Sequence, residues 1–274
     1  MAEDDYLDYA AGAARIGTKI VNASTYLVTL ALFIIGGYII WYTFMVYQSA
    51  FLDDDLLKYK PVIDGDENPS LYDLMAINPD VCAWITIEDT AIDYPVVQGK
   101  DNQEYLDKNV FGDYTPSGAI YLDKNNSRDF TDPYNILYGH HMASGQMFGQ
   151  ILKFLDEDFF NTHPYGVLFL PEKTYAISIF ACMETNAYEP RILTVIKDKA
   201  EMPSFLAYTH NNAVQYRDLS PALSTDDTII GLVTCERVYT DGRVVLLGRL
   251  NEVDFVKQGD DKQDSGSENE WFDQ

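Results

Sequence analysis

Between Ile20 and Leu52 the chain carries no charged residue and no histidine. Its apolar centre, residues 25–47, reads TYLVTLALFIIGGYIIWYTFMVY. As a helix these 23 residues span about 34 Å, enough to cross a hydrocarbon core of about 30 Å. Tyr26, Trp41, Tyr42 and Tyr47 lie near its ends, where amphipathic rings favour the membrane interface. A buried core helix is the competing reading, but the run exceeds what such helices need. A cleaved signal peptide has a shorter apolar region, so residues 25–47 are predicted to be an uncleaved transmembrane anchor. Arg15 and Lys19 sit closer to the run than Lys58 and Lys60, which lie behind Asp53, Asp54 and Asp55. The positive-inside rule then puts segment 1–24 in the cytoplasm and the remainder outside the cell.

Composition narrows what that remainder does. The 274-residue chain includes 43 Asp and Glu against 19 Lys and Arg, a formal charge of -24. Such a chain is repelled by phosphate backbones, so nucleic acid is excluded as an expected partner. The three cysteines, Cys82, Cys182 and Cys235, are too few for a disulfide scaffold, and their odd number leaves at least one thiol without a partner in this chain.

Residues 48–67 read as an acidic connector punctuated by Pro61 and Gly65. Asn68-Pro69 suits a helix start, with Leu71, Leu74 and Met75 on one face. From Ala83 the texture becomes short β-type runs at 83–87, 92–97, 118–122, 135–139, 167–170, 175–182, 227–235 and 243–250. Turn residues separate most of them. Eight short strands with few helices between them predict a mainly β, closed barrel or sandwich. Residues 147–160 and 200–216 carry apolar residues at helical spacing and are predicted to be helical insertions, the second lying between the sixth and seventh strands. The acidic tail 254–274 is expected to be disordered.

Three features can carry chemistry. Tyr138-Gly139-His140-His141-Met142 closes one strand, Thr234-Cys235 closes another, and Arg243 opens the next. Asp241-Gly242 lies between the last two, so those strands are expected to pair as a hairpin that brings Arg243 near Cys235. A thiol attacks a carbonyl only as thiolate and needs a neighbouring base or cation. A histidine exchanges protons near neutral pH and can protonate a leaving amine. An arginine stays cationic and suits a developing oxyanion, which the backbone amide of Glu236 could also bind. Each residue alone has a bland reading: a buried thiol, a structural imidazole, a surface cation. Cys82 and Cys182 are read as buried thiols, having no base nearby in sequence.

Together these motifs resemble the sortases, membrane-anchored cysteine transpeptidases of Gram-positive bacteria. YGHHM at 138–142, LVTC at 232–235 and the arginine of GRVVLLGRL at 242–250 occur in family order. YPVVQGKDNQEYL, GAIYLDKNN and YGHHMASGQMFGQILKF, all between Asp93 and Leu155, point to class B. The resemblance covers about 68–253 and implies a closed eight-stranded sortase-type β-barrel with N-terminal helices. It implies His140, Cys235 and Arg243 as catalytic residues, with Val233, Thr234 and Glu236 on the substrate side, and it implies no metal and no cofactor. The implied partners are secreted or surface proteins bearing a C-terminal sorting signal such as N-P-x-T-x, and an amine acceptor, either the cell-wall lipid II cross-bridge or a pilin lysine. Two departures from the family pattern stand out: Gly231 replaces the first Thr of T-L-x-T-C, and Val233 stands where class B members often have Ser.

Other readings stay open on the residues themselves. The same nucleophile and base would serve a Cys-His hydrolase, and a membrane-tethered binding module would need no reactive thiol at all. DKNNSRDFTD at 123–132 fails as a calcium loop, because Arg128 stands where glycine is required and Tyr134 where the bidentate Glu belongs. A zinc site at His140, His141 and Cys235 is disfavoured, since adjacent histidines on extended chain diverge.

Overall fold

The computed structural model describes residues 2–50, 54–62, 68–235 and 241–253. The chain divides into two compact units, with the break between Gln48 and Ser49. The first is formed by one helix, α1 (Ala2–Ala50), whose last two residues fall past that break. Its large apolar side chains are exposed, among them Tyr26 and Phe33 at 76% and Ile40 at 73%. Within α1, Ala11–Val46 is long and apolar enough to cross a membrane. The helix continues back to Ala2, because the polar stretch before the apolar run contains no proline to stop it. The tail 254–274, expected to be disordered, lies outside the described residues.

The second unit opens with α2 (Asp54–Leu57) and α3 (Pro69–Ile77). Pro69 sits in the first turn of α3, where its missing N–H costs nothing. Strands follow as β1 (Val81–Ile87), β2 (Asp93–Val97), β3 (Ile120–Leu122), β4 (Tyr134–Tyr138), β5 (Tyr165–Leu170) and β6 (Lys173–Asn186). The two-residue β7 (Gln215–Tyr216), then β8 (Thr228–Cys235) and β9 (Gly242–Glu252), complete the set. The sheet order β5-β1-β2-β3-β4-β8-β9-β6 is closed by pairing of β6 with β5, which makes an eight-stranded barrel with β7 as an extra edge. Pairs β2–β3 and β4–β8 are parallel; the other pairings are antiparallel.

Alternation along each strand sorts the side chains between faces. Ile85, Val96, Ile120, Leu137, Leu168, Ile177, Leu232 and Leu246 belong to one cluster, to which every strand of the barrel contributes and which fills its interior. Their partners of opposite parity form two outer clusters. Trp84, Val97, Tyr121 and Val167 pack with Leu56 of α2 and with Leu71 and Leu74 of α3. Ile136, Ile229, Val233 and Val245 pack with helices of the insertion between β6 and β8. A bulge between Ile179 and Ala181 lets β6 change parity midway, so that Phe180, Ala181 and Met183 join that last cluster.

Two helical expectations need correction. Residues 147–160 do not form one helix: a 3-10 helix covers Gly149–Leu155 and α4 covers Glu157–Thr162. Asp156 separates them because its backbone is extended and its side chain accepts a hydrogen bond from Phe159 N, capping α4. In the insertion, α5 (Pro190–Leu193) precedes α6 (Met202–Asn212). The predicted helix to residue 216 stops at Asn212, since Gln215 and Tyr216 pair with Cys182 and Ala181 as a strand.

Candidate active site

One end of the barrel gathers the termini of four neighbouring strands. Parallel strands β4 and β8 both finish there, with Tyr138 opposite Val233. Strand β9 begins there, with Arg243 the cross-strand partner of Cys235 on one side and of Thr185 in β6 on the other. Directly opposed Cα atoms in an antiparallel pair lie about 4.5–5.5 Å apart, so positions 235 and 243 are neighbours by backbone register alone. Gly139 N donates to Val233 O at 3.2 Å, which extends the parallel register beyond β4. His140 therefore follows Tyr138 by the same two residues by which Cys235 follows Val233. The three positions singled out in the sequence lie at or just beyond the ends of three adjacent strands at one rim.

The imidazole of His140 is held from outside the barrel. Its Nε2 lies 2.7 Å from the carbonyl oxygen of Leu106. A carbonyl only accepts, so Nε2 carries the proton and donates. The proton that His140 can gain or lose is therefore the one on Nδ1. Its own carbonyl accepts from Phe148 N at 3.1 Å, tying the strand end to the loop that follows. Leu106 in turn is set by a tight turn in which Asp101 Oδ1 accepts from Gln103 N and Glu104 N, at 3.0 and 2.9 Å. Gly118, at φ +60°, lets the chain pass beneath it: a Cβ there would stand 2.6 Å from both Leu106 O and Tyr105 O.

Arg243 is half-buried, and its Nη1 donates to Gly242 O at 2.9 Å. Beside it, Ala187 N donates to Asp241 O at 2.7 Å, which joins the start of the β6–β8 insertion to the start of β9. Val233 and Thr234 are both 2% exposed. Val233 packs in the outer cluster with Val245, and the Thr234 hydroxyl is buried without a hydrogen-bond partner among the described residues. The amide of Glu236, expected to help bind an oxyanion, lies outside the described residues.

The other titratable groups separate by burial. Burial pushes the Cys82 thiol up to about 12 and the Cys182 thiol further still, so both are protonated and inert at neutral pH. Burial also pulls His141 below its ordinary value, and its Nδ1 is enclosed without a partner among the described residues. Gly231, where the family motif has Thr, is explained by Tyr134: a Cβ at 231 would collide with the Tyr134 hydroxyl, which donates to Ile192 O at 2.9 Å. Sequence reasoning missed Leu106, because what it contributes is a backbone carbonyl and any residue carries one. It also missed Asp123 and Asn102, and the link of Asp123 to Tyr138, because these groups are joined only by tertiary contact.

No family model matches the chain. The curated Sortase B of Listeria monocytogenes is 35% identical over 190 residues, covering 69% of this chain and 76% of that protein. Sortase B of Staphylococcus aureus is 28% identical over 187 residues, covering 68% and 76%. Among solved structures, the S. aureus sortase B–substrate complex superposes with a TM-score of 0.64 at 28% identity, covering 69% of this chain and 87% of that one. Spy0129, a Streptococcus pyogenes class B sortase involved in pilus biogenesis, superposes at 0.61 with 38% identity, covering 66% and 97%.

Proposed function

This chain belongs to the class B sortases, cysteine transpeptidases, and from that premise we propose that Cys235 is its nucleophile, His140 its proton carrier and Arg243 its oxyanion partner. The observation that carries the assignment is the register: Cys235 and Arg243 are cross-strand partners, and His140 follows two residues after the end of β4, the strand parallel to β8.

The chemistry follows from these positions. The Cys235 thiolate attacks the carbonyl carbon of a peptide bond in a sorting signal, and the oxygen gains negative charge. The Arg243 guanidinium, permanently cationic, stabilises that charge. His140, protonated on both nitrogens with Nε2–H on Leu106 O, gives its Nδ1 proton to the departing amine as the C–N bond breaks. A thioester remains. An incoming amine then loses a proton to Nδ1 and attacks the thioester carbon; the thiolate leaves, and a new amide forms. Val233 and Thr234, both buried in β8, support the strand end that carries the nucleophile, and the Glu236 amide assists at the oxyanion.

A sorting-signal substrate and an amine acceptor are supported by the solved relatives, one in complex with substrate and one with a triglycine peptide. The signal is read as N-P-x-T-x-like, cleaved after Thr, and the acceptor as a cell-wall cross-bridge amine or a pilin lysine. Helix α1 serves as the single-pass anchor, with the N-terminus cytoplasmic and the domain 68–253 outside. The test is product analysis of a fluorogenic N-P-x-T-x peptide with and without triglycine. Amide-linked triglycine in the product is expected, and it must vanish in Cys235→Ala. A product that never contains the amine sinks the transferase assignment in favour of hydrolysis.

A further inference from the structure

A buried carboxylate outside the proposed triad ties together the two elements that orient His140. Asp123 is 4% exposed and immediately follows β3. It makes no ion pair among the described residues. An anion removed from water without a cation is costly unless hydrogen bonds replace its hydration. Here four do so. Oδ1 accepts from Asn125 N at 2.8 Å and Asn125 Nδ2 at 2.9 Å. Oδ2 accepts from Asn102 Nδ2 at 2.7 Å and from the Tyr138 hydroxyl at 3.2 Å.

The two groups on Oδ2 come from different parts of the site. Tyr138 is the last residue of β4, two before His140, and its ring packs against Tyr121 at 5.3 Å. Asn102 lies four residues before Leu106, in the turn that presents the Leu106 carbonyl to His140 Nε2. Asn102 is locked on both sides, since its Oδ1 accepts from Lys124 N at 2.8 Å. One oxygen thus joins the strand that carries the imidazole to the loop that fixes its tautomer.

We propose that Asp123 is a positioning residue for the transpeptidation, holding β4 and the 101–106 turn in the relative placement that keeps His140 donating from Nε2. The inference rests on the assignment of His140 above. A fold that needed only a filled space here could use an apolar side chain at lower desolvation cost.

The experiment uses the full-length chain in detergent micelles with Asp123→Asn, Asn102→Ala, the double variant and Tyr138→Phe. Asp123→Asn puts an amide donor into a site where all four hydrogen bonds arrive from donors, so at least one arm is released. Two readouts are taken: kcat and KM for sorting-peptide cleavage, and the imidazole 15N spectrum, which has only four histidines to assign. Asp123→Asn and Asn102→Ala are each expected to lower kcat about 10- to 100-fold, the scale of a misplaced catalytic group, with KM little changed. The His140 signals should change from a single Nε2–H tautomer to a mixture. The double variant should be no worse than the worse single one, because both cut the same link. Full additivity, an unchanged His140 tautomer, or an unchanged kcat overturns the proposal. If Asp123→Asn fails to fold, Asn102→Ala and Tyr138→Phe sever the two arms separately, and an unchanged tautomer in both overturns it equally. A His140→Ala variant that keeps full turnover would instead refute the His140 assignment, leaving the tautomer measurement to judge Asp123 on its own.

Discussion

Replacing Gly118 with alanine is expected to damage catalysis through a backbone atom that no side-chain scan would find. Two costs add. The φ of +60° is left-handed, which costs an L residue with a Cβ about 1–2 kcal/mol. The added Cβ also meets Leu106 O and Tyr105 O at 2.6 Å, both backbone atoms that cannot swing away as a side chain would. Relieving that contact needs a shift of roughly half an ångström or more, given ordinary contact distances. The Leu106 carbonyl is the acceptor for His140 Nε2 at 2.7 Å, so a shift of that size takes the hydrogen bond to the edge of its useful range. Stability should fall by about 2–4 kcal/mol, combining strain and displaced packing. The value of kcat should fall about 10- to 100-fold. Gly112 supplies the control: its φ is +86°, yet a Cβ there meets nothing within 4 Å. Gly112→Ala should incur the strain without the collision and leave the turnover number near that of the parent. Thermal melts and sorting-peptide turnover on both variants make the comparison. Equal loss of kcat in the two would refute the link between the Leu106 carbonyl and His140.

Further expectations concern the thiols, the guanidinium and the segment that carries α2. Arg243→Ala should lose about 3–4 kcal/mol of transition-state stabilisation, with Arg243→Lys recovering only part, as measured by kcat/KM. Cys235→Ala should abolish turnover without moving the melting temperature. Under native conditions a thiol reagent should modify one cysteine, rising to three after unfolding, because Cys82 and Cys182 are buried and protonated; native modification of Cys82 would contradict its burial. The raised Cys82 pKa also sets a pH dependence. The unfolded thiol ionises near 9 and the folded one near 12, so the stabilisation is complete below pH 9 and is lost as pH rises toward 12. Cys82→Ala should flatten that alkaline slope in denaturant titrations. A soluble fragment beginning at residue 68 should melt below one beginning at residue 54. It lacks buried Leu56, worth about 1.5–3 kcal/mol, and the partly exposed Lys60–Asp93 pair, worth at most about 1. Equal melting temperatures would mean that α2 contributes nothing to the barrel.

The apolar run and the eight strand segments were legible because they are one-dimensional signals; that pattern left barrel and sandwich both open, and the closed barrel was implied by the family resemblance. Hydrophobicity over a fixed length reports a helix that can span a bilayer, and alternation reports a strand with two faces. The departures arose where a tertiary partner or a cap overrode a local pattern. Residues 147–160 have helical spacing, yet the cap at Asp156 divides them. Residues 213–216 extend a helical pattern, yet an open strand edge on β6 captures Gln215 and Tyr216.

His140, Cys235 and Arg243 could be singled out as candidates from sequence because each motif is local: a residue type at or near a strand end. That they share one rim depends on β4 and β8 lying side by side and parallel, although 95 residues separate paired positions such as Tyr138 and Val233 along the chain. Hydrogen-bonded pairing, and not sequence distance, decides such neighbours. The supporting frame was hidden altogether. Leu106 acts through a carbonyl, Gly118 through a missing atom, and Asp123 through partners on two other elements. The amino-acid sequence carried the helix long and apolar enough to cross a membrane, the succession of short strands and the local motifs that resemble a sortase's, since these are signals of composition, periodicity and residue type. Tertiary structure alone decided which nitrogen of His140 is held and by what, since that depends on the meeting of a loop and a strand that only the closed barrel brings together.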